Sequence, residues 1–142
     1  MKVAVRFAVP ARTTWTSFHL GLVTARFFET WDFYTTLLDF RTLAENDGYV
    51  RLRHSCGAEL SLLQHELNGA WSELVSGTDG RGLWLAIEVE RPSALRARLR
   101  RESVDLLPTP QPEKHGAAHF ALRDPNGVLI FVTGKRAEAN GR

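Results

Sequence analysis

The chain has 142 residues, 44% of them hydrophobic, one cysteine and a formal net charge of +2, which suits one core of ordinary size and excludes two independent ones. Charge or glycine breaks every apolar stretch within about ten residues, short of the ~20 that cross a bilayer, so no membrane partner is expected. Met1 to Pro10 sets Lys2 and Arg6 among its apolar residues instead of a signal-type hydrophobic segment, and a cytoplasmic location follows as the expectation. Cys56 stands alone, so an intrachain disulfide or a thiolate-rich zinc site is ruled out.

In chain order, Val3, Val5, Phe7 and Val9 alternate as in a strand over 2–9, stopped by Pro10. A second strand is predicted over 17–24. A helix over 26–38 follows, with Phe27, Trp31, Tyr34 and Leu38 at helical spacing and mostly directed to the core. Strands over 40–44, 48–54 and 58–65 are separated by Asn46-Asp47-Gly48 and Cys56-Gly57, both turn signals. This makes one βαβββ unit.

Residues 66–82 are rich in glycine and polar side chains and connect the halves, with a short helical turn expected at Trp71 and Leu74. The order then repeats. A strand over 83–89 leads to a helix over 92–102 opened by Pro92-Ser93, and then to a short strand over 104–107. A loop holds Pro108, Pro110 and Pro112, and strands over 117–123 and 127–133 meet at Asp124-Pro125-Asn126-Gly127, a strong turn sequence. His19 and Trp84 each precede by seven residues an arginine, Arg26 or Arg91, at a helix start. The run Arg96-Ala97-Arg98-Leu99-Arg100-Arg101 lies in the second helix without interleaved aromatics and reads as a solvated face, so no nucleic-acid partner is expected. Residues 135–142 read as a polar tail.

Three segments, His19-Leu20-Gly21-Leu22, Phe33-Tyr34-Thr35-Thr36-Leu37-Leu38-Asp39-Phe40 and Asp124-Pro125-Asn126-Gly127, occur in order within this duplicated frame. Together they resemble the vicinal oxygen chelate superfamily, which includes glyoxalase I, extradiol dioxygenases, and the fosfomycin- and bleomycin-resistance proteins. Asp39 replaces the glycine of that family's FY..LGF segment. The resemblance covers about residues 17–133. It implies an α+β fold in a single domain: modules over about 15–65 and 83–134 form a curved, partly open mixed-sheet cleft, and the chain is expected to be a homodimer.

The resemblance also implies four metal-ligand positions, which fall on His19, Glu59, Trp84 and Phe131. Two of these side chains carry no metal donor, so no cofactor is expected; a metal, if present, would rest on His19 and Glu59. His115 and His119 are four apart, but residues 118–122 read as a strand, where such a spacing holds the rings about 13 Å apart. The expected site is therefore a ligand-binding one, with no catalytic residue assigned. Trp84 and Phe131 would stack an aromatic small molecule, and His19, Glu59 and His119 would meet its polar parts. This matches the antibiotic-sequestering members. A filled cleft with His19 and Glu59 as a buried pair is one alternative. A glyoxalase-like lyase, isomerase or dioxygenase using His19 and Glu59 is another.

Tyr49, Arg51 and Arg53 alternate on the face opposite Val50 and Leu52. If that face borders the cleft, the arginines would recognise an anionic or carbonyl-rich ligand; if not, they are surface charges, which is the preferred expectation. Cys56 has no activating neighbour in sequence, and Gly77 to Gly82 lacks the ending of a phosphate loop.

Overall fold

A computed structural model describes residues 13–66, 82–108 and 118–134, without the side chains of Ala118 and His119. The expected strand over 2–9, the turn at Trp71 and Leu74, Pro110, Pro112, His115 and the tail lie outside the described residues.

The first module runs β1 (Leu20–Thr24), α1 (Phe27–Asp32), β2 (Arg41–Asn46), β3 (Tyr49–Arg53) and β4 (Glu59–Gln64). Its four-stranded sheet has the order β1-β4-β3-β2, with β1 parallel to β4 and the other pairs antiparallel. The second module runs β5 (Trp84–Val89), α2 (Pro92–Arg101), β6 (Ala118–Arg123) and β7 (Leu129–Gly134), in the order β5-β7-β6. The strand expected over 104–107 is not formed. Only Leu107 pairs, as a single bridge to Ala121; it takes the place next to β6 that β2 takes next to β3, so the two modules keep one topology.

The helix expected over 26–38 is α-helical only to Asp32 and widens to a π-helical stretch, Phe33–Leu37. Thr35 Oγ1 donates to the Trp31 carbonyl at 2.8 Å and Thr36 Oγ1 to Asp32 Oδ1 at 2.9 Å, local bonds of the kind that compete with the regular ladder. The chain leaves through Asp39 at φ 61, and the Phe40 N–H returns to the Tyr34 carbonyl at 3.1 Å. That left-handed position explains why the resembling segment carries glycine there. Ser103, just past α2, has φ 58, so both helices end in the same way.

Alternation decides the core. Val50 and Leu52 of β3 face Leu62 and Leu60 of β4, and all four are buried. In the second sheet Phe120, Leu122, Ile130 and Val132 do the same. Phe27, Tyr34 and Leu38 from the first helical segment and Leu99 from α2 join both sets in one cluster. Burying a side chain of this size contributes about 1.5–3 kcal/mol. Trp31 is only half buried, its indole N–H donating to Thr42 Oγ1 at 2.9 Å.

Polar contacts complete the joint between modules. Arg98 of α2 binds both carboxylate oxygens of Asp39, at 2.9 and 3.1 Å, and Arg96 lies over the Phe120 ring at 5.6 Å from its centroid. The expectation of a purely solvated arginine face is therefore corrected: Arg98 ties α2 to the first module, and Arg96 packs on β6 of its own module. Among the described residues no helix is long and apolar enough to cross a membrane.

Candidate functional site

Parallel pairing sets Leu20 beside Leu60, so His19 and Glu59, one residue earlier, stand at the same end of neighbouring strands. Antiparallel pairing sets Arg53 opposite Glu59, Arg51 opposite Ser61 and Tyr49 opposite Leu63. Since the intervening leucines and valine fill the core, these residues share the other face of the sheet.

On that face Arg51 reaches diagonally across the strand pair, and its Nη2 donates to Glu59 Oε2 at 2.5 Å. The same nitrogen lies 3.4 Å from Ser17 Oγ. The Arg51 and Glu59 side chains are 26% and 11% exposed, whereas Arg53 is open to solvent. Of the two arginines weighed as surface charges, Arg53 alone is one. The hydrogen bond from Arg51 holds the Glu59 carboxyl below the usual carboxylate range against the opposing effect of desolvation, and the charges of Arg51, Arg53 and His19 pull the same way. Glu59 is thus engaged by Arg51, where the filled-cleft alternative paired it with His19, although His19 is near enough for its charge to be felt.

The Tyr49 hydroxyl and Ser61 Oγ are 3.2 Å apart, giving a second polar pair beside the first. Gly21 pairs with Ser61, and a Cβ built on it would meet no atom within 4 Å. The face is open there.

In the second sheet, Ala86 pairs with Phe131 and Trp84 with Leu129, so Trp84 and Phe131 also lie on the face turned away from the core. Their rings meet edge to face, with centroids 5.5 Å apart and planes at 83°. Trp84 is 60% exposed, which excludes the alternative that it fills a collapsed core. His119 lies in β6, at an irregularity between Ala118 and Phe120. Among the described residues no hydrogen bond, ion pair or ring contact joins the Arg51–Glu59 group to the Trp84–Phe131 pair.

A catalytic divalent ion needs about three nitrogen, oxygen or sulfur donors. Trp84 offers only an N–H and Phe131 no heteroatom, while the Glu59 carboxylate is bonded to Arg51. Among the described residues no three of His, Cys, Asp and Glu converge. These residues do not fit a metal ion. They make a polar face with one embedded arginine and, on the other sheet, an exposed aromatic pair suited to a flat guest.

Of the residues singled out from the sequence, His19 and Glu59 stand at one end of the first sheet and Trp84 and Phe131 on one face of the second; sequence reasoning missed Ser17 and Gly21 and left Arg51 undecided. A glycine inside a strand was the available signal for Gly21, because such a residue often marks a close approach by another group.

Solved structures share this architecture. One from the mobile metagenome of V. Pseudocholerae has a TM-score of 0.67 at 19% identity, covering 89% of this chain and 99% of that one. The antibiotic binding protein TnmS3 from Streptomyces sp. CB03234 has a TM-score of 0.65 at 18% identity, covering 87% and 98%. A glyoxylase/bleomycin resistance protein/dioxygenase domain from Frankia sp. EAN1pec has 0.61 at 18% identity, covering 89% and 96%. No curated protein matches the chain. The family model of the Glyoxalase/Bleomycin resistance protein/Dioxygenase superfamily matches residues 16–132, most of both modules and the strands that carry the site, and the chain belongs to that superfamily.

Proposed function

We propose that the protein is a metal-independent binding protein that sequesters an aromatic or amphipathic, antibiotic-like small molecule in the cytoplasm, conferring resistance to it. The observation that carries this reading is the Trp84–Phe131 pair, an exposed edge-to-face couple at two positions where metal-dependent members would hold ligands. An indole left open to solvent forgoes burial worth about 1.5–3 kcal/mol for a large side chain, and stacking a planar guest recovers it. The likeness to an antibiotic binding protein supports the same reading. His19, Glu59 and His119 orient the polar parts of the guest.

The working unit is a homodimer, in which the first sheet of one chain and the second sheet of another enclose the guest. Support for this comes from the two groups, each on its own sheet and, among the described residues, without a hydrogen bond, ion pair or ring contact between them. Neither nucleic acid nor a membrane is a partner.

Native mass spectrometry and metal analysis on one purified sample test the proposal. The expected result is a metal-free dimer that takes up an aromatic compound, with affinity falling about tenfold or more in Trp84→Ala, the loss of ~1.4 kcal/mol or more of stacking. One tightly held metal per subunit, or unchanged affinity in Trp84→Ala for every aromatic compound bound, overturns it.

A further inference from the structure

The face of the first sheet has a surplus of positive charge. By register Arg41 stands opposite Arg53, Arg53 opposite Glu59 and Arg51 opposite Ser61, so among the described residues of these strands three arginines share a face with one carboxylate. That carboxylate is already taken by Arg51, which leaves little there to attract a cation. Arg51 is itself not fully used. Its Nη2 serves Glu59 and Ser17, but its Nε–H is buried and among the described residues has no acceptor. A guanidinium is a planar fork whose parallel N–H groups match the oxygens of a carboxylate or sulfonate, and here one prong is free. Beside it lie the Tyr49 and Ser61 hydroxyls, and the space above Gly21 is open.

We propose that this face recognises an anionic group, a carboxylate, sulfonate or phenolate, on the sequestered aromatic molecule, with the Arg51 guanidinium as its anchor. The inference rests on the binding reading above and narrows it: the guest is an acidic aromatic compound, its ring system held by Trp84 and Phe131 and its anion by Arg51. Glu59 is then a positioning residue that orients the guanidinium and competes with the guest's anion for it.

Fluorescence titration of the full chain with 8-anilinonaphthalene-1-sulfonate and with its neutral analogue N-phenyl-1-naphthylamine tests this. The sulfonate is expected to bind at least about tenfold more tightly, a preference that weakens with added salt. Arg51→Gln should abolish the preference by weakening the sulfonate alone. Glu59→Gln, which keeps the arginine and removes its charged competitor, should strengthen the sulfonate about threefold or more relative to the neutral dye. Equal affinity for the two dyes, or a Glu59→Gln chain that binds the sulfonate more weakly, overturns the anionic guest while the stacking reading stands. Failure of both dyes to bind overturns the stacking reading, and this one with it.

Discussion

The Tyr34 hydroxyl donates to Asp124 Oδ2 at 2.9 Å across 90 residues, tying the helical segment of the first module to the Asp-Pro-Asn-Gly turn of the second. Both residues are buried. The other oxygen, Oδ1, accepts the N–H groups of Asn126 at 2.8 Å and Val128 at 2.9 Å, so one carboxylate shapes the turn and receives the helix. Tyr34→Phe keeps the ring in its cluster and leaves Oδ2 short of its main donor. A loss of about 1.5–3 kcal/mol is expected, the usual worth of a bond to a charged group, read by urea denaturation.

The same tyrosine predicts an alkaline effect. Burial, with Asp124 adding to it, pushes the Tyr34 hydroxyl above its ordinary value. A group raised in the folded chain stabilises it below the unfolded value, and the contribution drains away as pH climbs above about 10. Wild-type stability should therefore fall in that range, and Tyr34→Phe should fall less. Equal slopes in chemical denaturation at pH 9 and above would contradict this.

Asn126 is the second tie. Its Oδ1 accepts from Thr24 Oγ1, and its Nδ2 donates to Thr30 Oγ1 at 3.0 Å. Thr24 and Thr30 are themselves buried. Asn126→Ala leaves two threonine hydroxyls without their cross-module partner and should cost about 1–3 kcal/mol. Asn126→Asp should be intermediate, since it keeps the acceptor and loses the donor.

Asp39 carries two opposed effects. Its φ of 61 costs an L-residue about 1–2 kcal/mol, less for aspartate. Its bond with Arg98 joins side chains 38% and 62% exposed and is worth roughly 0–1 kcal/mol. Asp39→Gly removes both and should change stability by less than about 1 kcal/mol, whereas Asp39→Ala loses the bond, keeps the strain and should cost about 1–2 kcal/mol. The hydrogen bond from Arg98 holds the Asp39 carboxyl below its ordinary value, against the opposing effect of desolvation. Its contribution is present above the ordinary carboxylate range and is lost as pH falls through the lowered folded value, below about pH 4. Asp39→Asn should melt with less acid dependence in that window.

Gly21 tests the site without disturbing the fold. It is exposed in β1 at an ordinary negative φ, with open space where a side chain would project. Gly21→Leu should leave stability within about 0.5 kcal/mol or raise it. The new side chain projects over Ser61, so affinity for an aromatic guest should drop about tenfold with no change in melting temperature. Undiminished binding would place the guest elsewhere.

Much of this was legible in the residues. The order of both modules, the Asp-Pro-Asn-Gly turn and the arginines Arg26 and Arg91 just before the helices follow from period and turn chemistry, which act within a few residues. The replacement of glycine by Asp39 was visible, but its left-handed backbone emerged only from the structure. The short strand over 104–107 failed because a strand is defined by its partner, and here only Leu107 finds one.

What the sequence determined by itself was therefore local: which stretches alternate, which turn, and which side chains face together on one strand. The tertiary structure alone decided the choice of partners. Arg51 could have faced solvent, yet a register set by backbone pairing with β4 brings Glu59 within 2.5 Å. Arg96 and Arg98 looked like a solvated run until packing laid them on Phe120 and Asp39. Periodicity names the face of a strand, but not what lies across from it, because that depends on contacts between residues far apart in the chain.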